Sequence, residues 1–409
     1  MSARRLPRSV ALLAALWLAI GYVNVARGAW HTGGGYRFWA FQHHCYSDII
    51  ALHGDRYLGG SHPLPYLHDH LEYPPLLGLF LWLPSWVPGG ALGHFTVTYA
   101  LLALCLAAAL WALARTEGAD AFWLGATPAL VYYAGLNWDL LPIALVALSV
   151  LALARGRAGG AGALAAAGVT AKLFPAVLAP AAWAGLLGRR EPGARGLERG
   201  AVAFAVAGVG TLVLLNVPVA LAAWDGYTWF FRFNAGRGAE NSLWDALGLV
   251  PGPLLEALST APFVVATLAA AWAAWRAARR TGGEGAGGGA GAVAAAAEAD
   301  APWLDAVRVG AALALVVWIA TNKIWSPQYA LYGFLAGALA GAPRAWFWPL
   351  ALVSVVDFHL AFQVRALRWD PWFRDVVWHP GNVARSLLWL GFAAWLVRRL
   401  WRRARSPVA

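Results

Sequence analysis

Charge is the scarcest property of this sequence. Asp, Glu, Lys and Arg make up 12% of its 409 residues, against about 25% in a typical soluble domain. That deficit excludes a water-soluble enzyme, a disordered tail and a fibrous protein. Cysteine is nearly missing as well, and two residues cannot build a disulfide framework or a Cys-rich metal site. No repeat of fixed period is present. Lysine occurs only at positions 172 and 323, while arginine supplies every other one of the 31 basic residues.

What the chain has in abundance is apolar surface, with 60% hydrophobic residues and a mean hydropathy of +0.56. At about 20 residues per bilayer crossing, the length allows roughly a dozen spans with their loops. The net charge of +11 would suit nucleic acid in a soluble protein. In a membrane protein basic residues instead set orientation, so no nucleic-acid partner is expected. Arg4, Arg5 and Arg8 precede an apolar stretch, Ser9–Ala26, that lacks a small-x-small cleavage site. It is predicted to be a first transmembrane helix entering from the cytoplasm. Residues 27–73 form a polar loop with seven histidines, followed by Pro74–Val87, apolar but short and bounded by prolines, as in an interfacial or re-entrant segment.

Further apolar runs lie at 92–114, 119–135, 138–154, 158–170, 174–188, 200–222, 258–275, 303–321, 327–343, 345–363 and 381–397. With the first helix they predict an all-α polytopic membrane protein of about twelve transmembrane helices, with a large first outer loop carrying an interfacial helix. This topology puts 20 of the 31 basic residues inside, for a net +12 there and −1 outside. The positive-inside rule demands such a bias, and both termini come out cytoplasmic. The Gly/Ala-rich stretch 281–300 reads as a flexible linker. The predicted organisation is an N-terminal membrane module (1–280) with a catalytic outer loop (27–91), the linker, and a C-terminal membrane module (301–409).

Sorted by side, the polar motifs gather outside: Tyr46-Ser47-Asp48, Glu72-Tyr73-Pro74-Pro75, Asn137-Trp138-Asp139, Lys172, and Asn322-Lys323 through Gln328-Tyr329. Ionisable groups at a membrane boundary are costly and point to a functional site, although lysines there can also snorkel. A carboxylate such as Asp48 can take a proton from an attacking hydroxyl; an Asp in a polar loop can equally cap a helix. Asp139 opens a helix, where the positive N-terminal end favours an acid. Residues 158–188 are too long for one straight helix, so a broken pair is expected with Lys172 near the outer bend, where a fixed ammonium could hold a phosphate. Asp357 and His359 could form a buried pair or line the cavity. The aromatic loop 223–257 could stack on sugar rings or form an interfacial belt. The loop histidines have no metal-ligand spacing, and no metal site or cofactor is expected.

Taken in order, YSDI, RYL, PYL, EYPPL, NWDL, AKLFP and NKIWSPQY make the stretch from Tyr46 to Tyr329 resemble glycosyltransferase family 87. That resemblance implies a GT-C-type enzyme of the cytoplasmic membrane, with its site on the outer face, using a polyprenyl-phosphate sugar as donor. It makes Asp48 the catalytic base of an inverting transfer. It places Tyr46, Glu72, Tyr73, Asn137, Asp139, Lys172, Asn322, Lys323, Gln328 and Tyr329 in substrate binding, with Arg232 or Arg365 as further cations. The sugar implied is mannose and the acceptor a glycolipid or glycan hydroxyl. Two other classes compete: a transporter or flippase of lipid-linked sugars, and a non-enzymatic subunit of envelope biosynthesis.

Overall fold

The computed structural model describes residues 5–31, 35–56, 58, 60–189, 198–281 and 301–405. Among them the chain forms helices and turns and no strand, as the apolar runs require. Six helices are long and apolar enough to cross a membrane: Arg8–His31, Gly90–Ala114, Arg199–Ala222, Pro253–Arg280, Pro302–Thr321 and Arg344–Ala366. The expected count of about twelve exceeds this because polar or proline residues cut several of the remaining runs. Thr127-Pro128 splits the run at 119–135 into Phe122–Gly125 and Ala129–Tyr133, and the Asn137-Trp138-Asp139 motif leaves Leu140–Ala154 to its C-terminal side. Lys172 adopts an extended backbone between Ala158–Ala171 and the Phe174–Gly188 segment, the break anticipated there. Pro327 likewise opens a short 3₁₀ turn before Ala330–Ala340.

The first loop carries two short α-helices, Tyr36–Gln42 and Asp48–Asp55. The Pro74–Val87 segment becomes the helix Pro75–Trp82 and a 3₁₀ turn, Leu83–Trp86. Pro75 occupies the first helical position, where its missing N–H costs nothing. Tyr66 is the wedge that packs this loop. Its ring lies against Gly78 and its backbone against Gly226, and a Cβ at either glycine would overlap it. Its hydroxyl donates to the Tyr73 carbonyl at 3.0 Å.

The helix Ala301–Thr321 runs through the middle of the bundle, almost wholly buried, and separates two polar ends. At its start Arg308 donates to the Leu339 carbonyl at 2.6 Å and to Asp305 at 2.7 Å, near the Asp120–Arg344 pair. At its finish Thr321 accepts from the Trp244 indole, beside Trp325. This helix packs along Pro253–Thr281, and a Cβ at Gly310 would lie 2.7 Å from that of Ala270. The stretch between the two helices, read from sequence as a linker, lies at 282–300 outside the described residues.

Candidate active site

Asp48 is the first residue of the helix Asp48–Asp55, and it is not the cap. That role falls to Ser47, whose hydroxyl accepts from the Ile49 amide at 3.2 Å and donates to the Gly135 carbonyl at 2.6 Å. The Asp48 amide donates to the Leu136 carbonyl at 2.8 Å. These bonds stitch the helix start to the chain just before Asn137. The Asp48 side chain is therefore not spent on capping, and the helix N-terminus favours its charged form.

The Asp48 carboxylate accepts from the Tyr46 hydroxyl at 2.9 Å and from the Asn137 amide at 2.8 Å. The orientation of Asn137 follows from its other partners. Lys172 has only donors to offer, so the amide oxygen must face it, and Lys172 Nζ lies 3.1 Å away. The Trp138 amide donates to the same oxygen at 2.7 Å. The NH₂ group is thereby turned toward Asp48 and the Tyr73 hydroxyl, the latter at 3.2 Å. Burial pushes the Asp48 carboxyl above the ordinary carboxylate range, against the opposing pull of Tyr46, Asn137 and the Lys172 charge. A carboxylate with a raised pKa is a stronger base for a hydroxyl proton.

Asp139 does not cap the helix that follows it. Fully buried, it instead accepts from Lys172 Nζ at 2.5 Å and from the Tyr332 hydroxyl. Tyr332 in turn stacks on Tyr329 with ring centroids 5.3 Å apart. Six residues singled out in the sequence thus share one hydrogen-bonded network: Tyr46, Asp48, Tyr73, Asn137, Asp139 and Lys172.

The others stand in different company. Glu72, next to Tyr73, is paired with Arg56, which also holds Asp69 at 2.7 Å. Asn322 closes a local turn, accepting from the Ile324 amide at 3.1 Å, and Gln328 is buried at the 3₁₀ turn. Lys323 extends to Glu256 at 2.6 Å, and Arg232 pairs with the exposed Asp225. Asp357 and His359 do not pair with each other. Asp357 binds Arg385 and the Trp325 indole (2.8 Å), whereas His359 meets His44 with ring nitrogens 2.6 Å apart.

Residues that the sequence reading passed over complete the surroundings. Arg237 pairs with Glu240, whose backbone bridges residues 323–325, with N···O distances of 2.9 and 2.8 Å. Arg385 is fully buried and stacks over Trp325 at 4.0 Å. An arginine inside the apolar run 381–397 was the available signal, since a buried guanidinium requires a carboxylate partner.

Beside the network lies an apolar groove of about 350 Å³, lined by Pro74, Pro75, Leu173, Asn216, Tyr227 and Phe231 among others. Pro74 follows Tyr73 and Leu173 follows Lys172 in the chain, so the groove adjoins the polar cluster. The family model of glycosyltransferase family 87 matches residues 71–296. That span holds Glu72, Tyr73, Asn137, Asp139 and Lys172, while Asp48 precedes it and Asn322–Tyr329 follow. No curated protein matches the chain.

Proposed function

The chain belongs to glycosyltransferase family 87, and from that premise we propose that it moves a hexose, mannose foremost, from a polyprenyl-phosphate donor to a glycolipid or glycan hydroxyl, with inversion. The observation that carries this reading is the setting of Asp48: a half-buried carboxylate, one oxygen bonded to Tyr46 and the other to Asn137, with lone pairs left for an acceptor hydroxyl. Asp48 takes the proton as the acceptor oxygen attacks the anomeric carbon. The carbon–oxygen bond to the phosphate breaks, and the polyprenyl phosphate departs. The adjoining apolar groove supports a lipid-linked donor, because an isoprenoid chain would occupy such a surface while its phosphate met the polar cluster.

The topology belongs to the same proposal. Six long helices, the broken pair at 122–133, and those at 140–154, 158–171, 174–188, 330–340 and 379–405 make up twelve crossings of a GT-C-type bundle. Non-helical breaks at membrane depth are tolerated where they line a cavity or are buried in protein. The arginine-rich end and both termini face the cytoplasm, and the Asp48 end faces outward, with Pro75–Trp82 lying in the interface. The two-module division, with the 281–300 stretch as its linker, is part of this reading.

The test is transfer from labelled polyprenyl-phosphate mannose to cell-envelope acceptors by purified protein and its Asp48→Asn variant. The variant is expected to lose roughly 10²–10⁴-fold in turnover at an unchanged unfolding midpoint. Wild-type turnover by Asp48→Asn would sink the assignment of the base. A wild-type protein that translocates the lipid across vesicles without transferring sugar would sink the enzyme reading.

A further inference from the structure

The charges around Asp48 can be balanced pair by pair. Lys172 is held by Asp139, Arg237 by Glu240, Arg385 by Asp357, Arg37 by Asp55, Lys323 by Glu256, and Arg56 by Asp69 and Glu72. Both lysines expected to meet a phosphate are therefore already neutralised. Arg365 is different. Among the described residues it forms no ion pair, and its one hydrogen bond runs from Nη1 to the Ala361 carbonyl at 2.5 Å. Four of its five N–H donors are unspent.

The position of Arg365 gives that surplus a use. It lies half-buried in the last turn of Arg344–Ala366, and its electrostatic neighbours are Tyr46, Asp48, Asp357 and Glu240. Phe362, on the preceding turn, packs on the Tyr46 ring at 6.0 Å, and the guanidinium lies 5.4 Å from the Trp369 ring. Asp357 and Glu240 have cations of their own, whereas among the described residues Asp48 forms no ion pair and feels Arg365 at long range together with Lys172 and Arg37. Capping of its own helix accounts for one donor and leaves the other four.

We propose that Arg365 binds the phosphate of the lipid-linked donor and takes up the charge that develops on the leaving group. The inference rests on the glycosyl-transfer reading above. In that step the acceptor oxygen bonds to the anomeric carbon while the carbon–oxygen bond to phosphate breaks. The proton passes to Asp48, and the bonding pair stays on the phosphate oxygen. A phosphodiester monoanion thus becomes a phosphomonoester dianion. Asp48 loses its charge as the phosphate gains one, so the counter-charge of Arg365 moves from the base to the leaving group. A fixed cation placed where charge develops acts chiefly on the transition state.

Farnesyl phosphate is the probe, with farnesol and inorganic phosphate as controls. Arg365→Gln is expected to weaken farnesyl phosphate binding at least tenfold, with Arg365→Lys in between and farnesol unchanged within twofold. Turnover of Arg365→Gln should fall roughly 10²–10³-fold in kcat, more than KM changes. In the wild type, farnesyl phosphate should protect Arg365 from phenylglyoxal, read by peptide mass spectrometry, and this decides the matter if the variants do not fold. Equal binding by wild type and Arg365→Gln, or labelling that farnesyl phosphate leaves unprotected, overturns the role of Arg365 alone. Equal protection by inorganic phosphate overturns the lipid-linked assignment. A wild type that does not bind farnesyl phosphate overturns the donor class itself.

Discussion

Replacing Lys172 by Met tests whether this lysine is committed to Asp139 or held in reserve for a ligand. The Asp139 side chain is fully buried and that of Lys172 is 14% exposed, so the pair is shielded from solvent. Removing one partner of a buried pair costs about 3–5 kcal/mol, because the surviving charge is left in a poor dielectric. Tyr332 still donates to Asp139, which places the cost at the lower end, about 3 kcal/mol, or roughly two orders of magnitude in the folded-to-unfolded ratio. Adding Asp139→Asn removes the stranded charge. The double variant should recover all but about 1 kcal/mol of the loss, so the coupling between the two sites is about 2 kcal/mol plus the cost of Asp139→Asn alone. Turnover should not recover with it, since Lys172 also fixes the amide orientation through which Asn137 reaches Asp48. The assay is denaturant unfolding in detergent micelles for wild type, both singles and the double, with transfer measured in parallel. A double variant no more stable than Lys172→Met would refute the pairing as the source of the effect. Recovered turnover would refute the positioning of Asn137.

Two further outcomes follow from single features of the site. Because burial raises the Asp48 pKa, the carboxylate form is lost as pH falls, and it is lost at a higher pH than an ordinary Asp near 3.9. The acid limb of kcat/KM should therefore sit above the usual carboxylate range, and a limb at or below about 4 would contradict the buried-base setting. At Gly226, helix propensity alone predicts that Ala stabilises by up to about 1 kcal/mol. The added Cβ overlaps the Tyr66 carbonyl, however, and overpacking of about 1–3 kcal/mol should reverse the sign. The Gly236→Ala control meets only ordinary contacts, and unfolding midpoints that rank the two variants equally would remove Tyr66 as the wedge.

The helical class was legible from hydropathy alone, and so were six members of the polar network at the candidate site, because they sit in short polar islands between long apolar runs. Tyr46, Asp48, Tyr73, Asn137, Asp139 and Lys172 could be named without knowing their partners. Pairing was not legible. Hydrogen-bonded contacts such as Asp48–Asn137 or Asp139–Tyr332 join residues 89 and 193 positions apart, and no local pattern encodes those distances. For the same reason Lys172 and Lys323 looked alike in sequence, two lysines at helix ends, although Asp139 takes one and Glu256 the other. Arg365 entered only through the family resemblance, beside Arg232, as a further cation. A basic residue at the end of an apolar helix is ordinary, and its significance emerges only once the cations already paired with carboxylates are set aside.

The shortness of several helices and the composition of the site have one physical origin. Where an apolar helix stops inside the bundle, its terminal amides and carbonyls must find partners, since bilayer and protein interior offer no water to satisfy them. Those breaks fall at Ser47-Asp48, at Leu136 through Asp139, and at Lys172; at the first two, polar side chains serve the backbone as well as one another, while Lys172 ties the breaks together through Asn137 and Asp139. Ser47 caps its helix and binds the Gly135 carbonyl, while the Asp48 amide holds the Leu136 carbonyl. Continuous helices at 119–154 or 158–188 would satisfy their own backbones and leave no reason for the chain ends to meet, so Asp48, Asn137 and Lys172 would lose their common point. A count of long apolar helices therefore falls below the number of apolar runs in the regions that hold the polar network. In this bundle the interruption of a span is what brings the candidate site together.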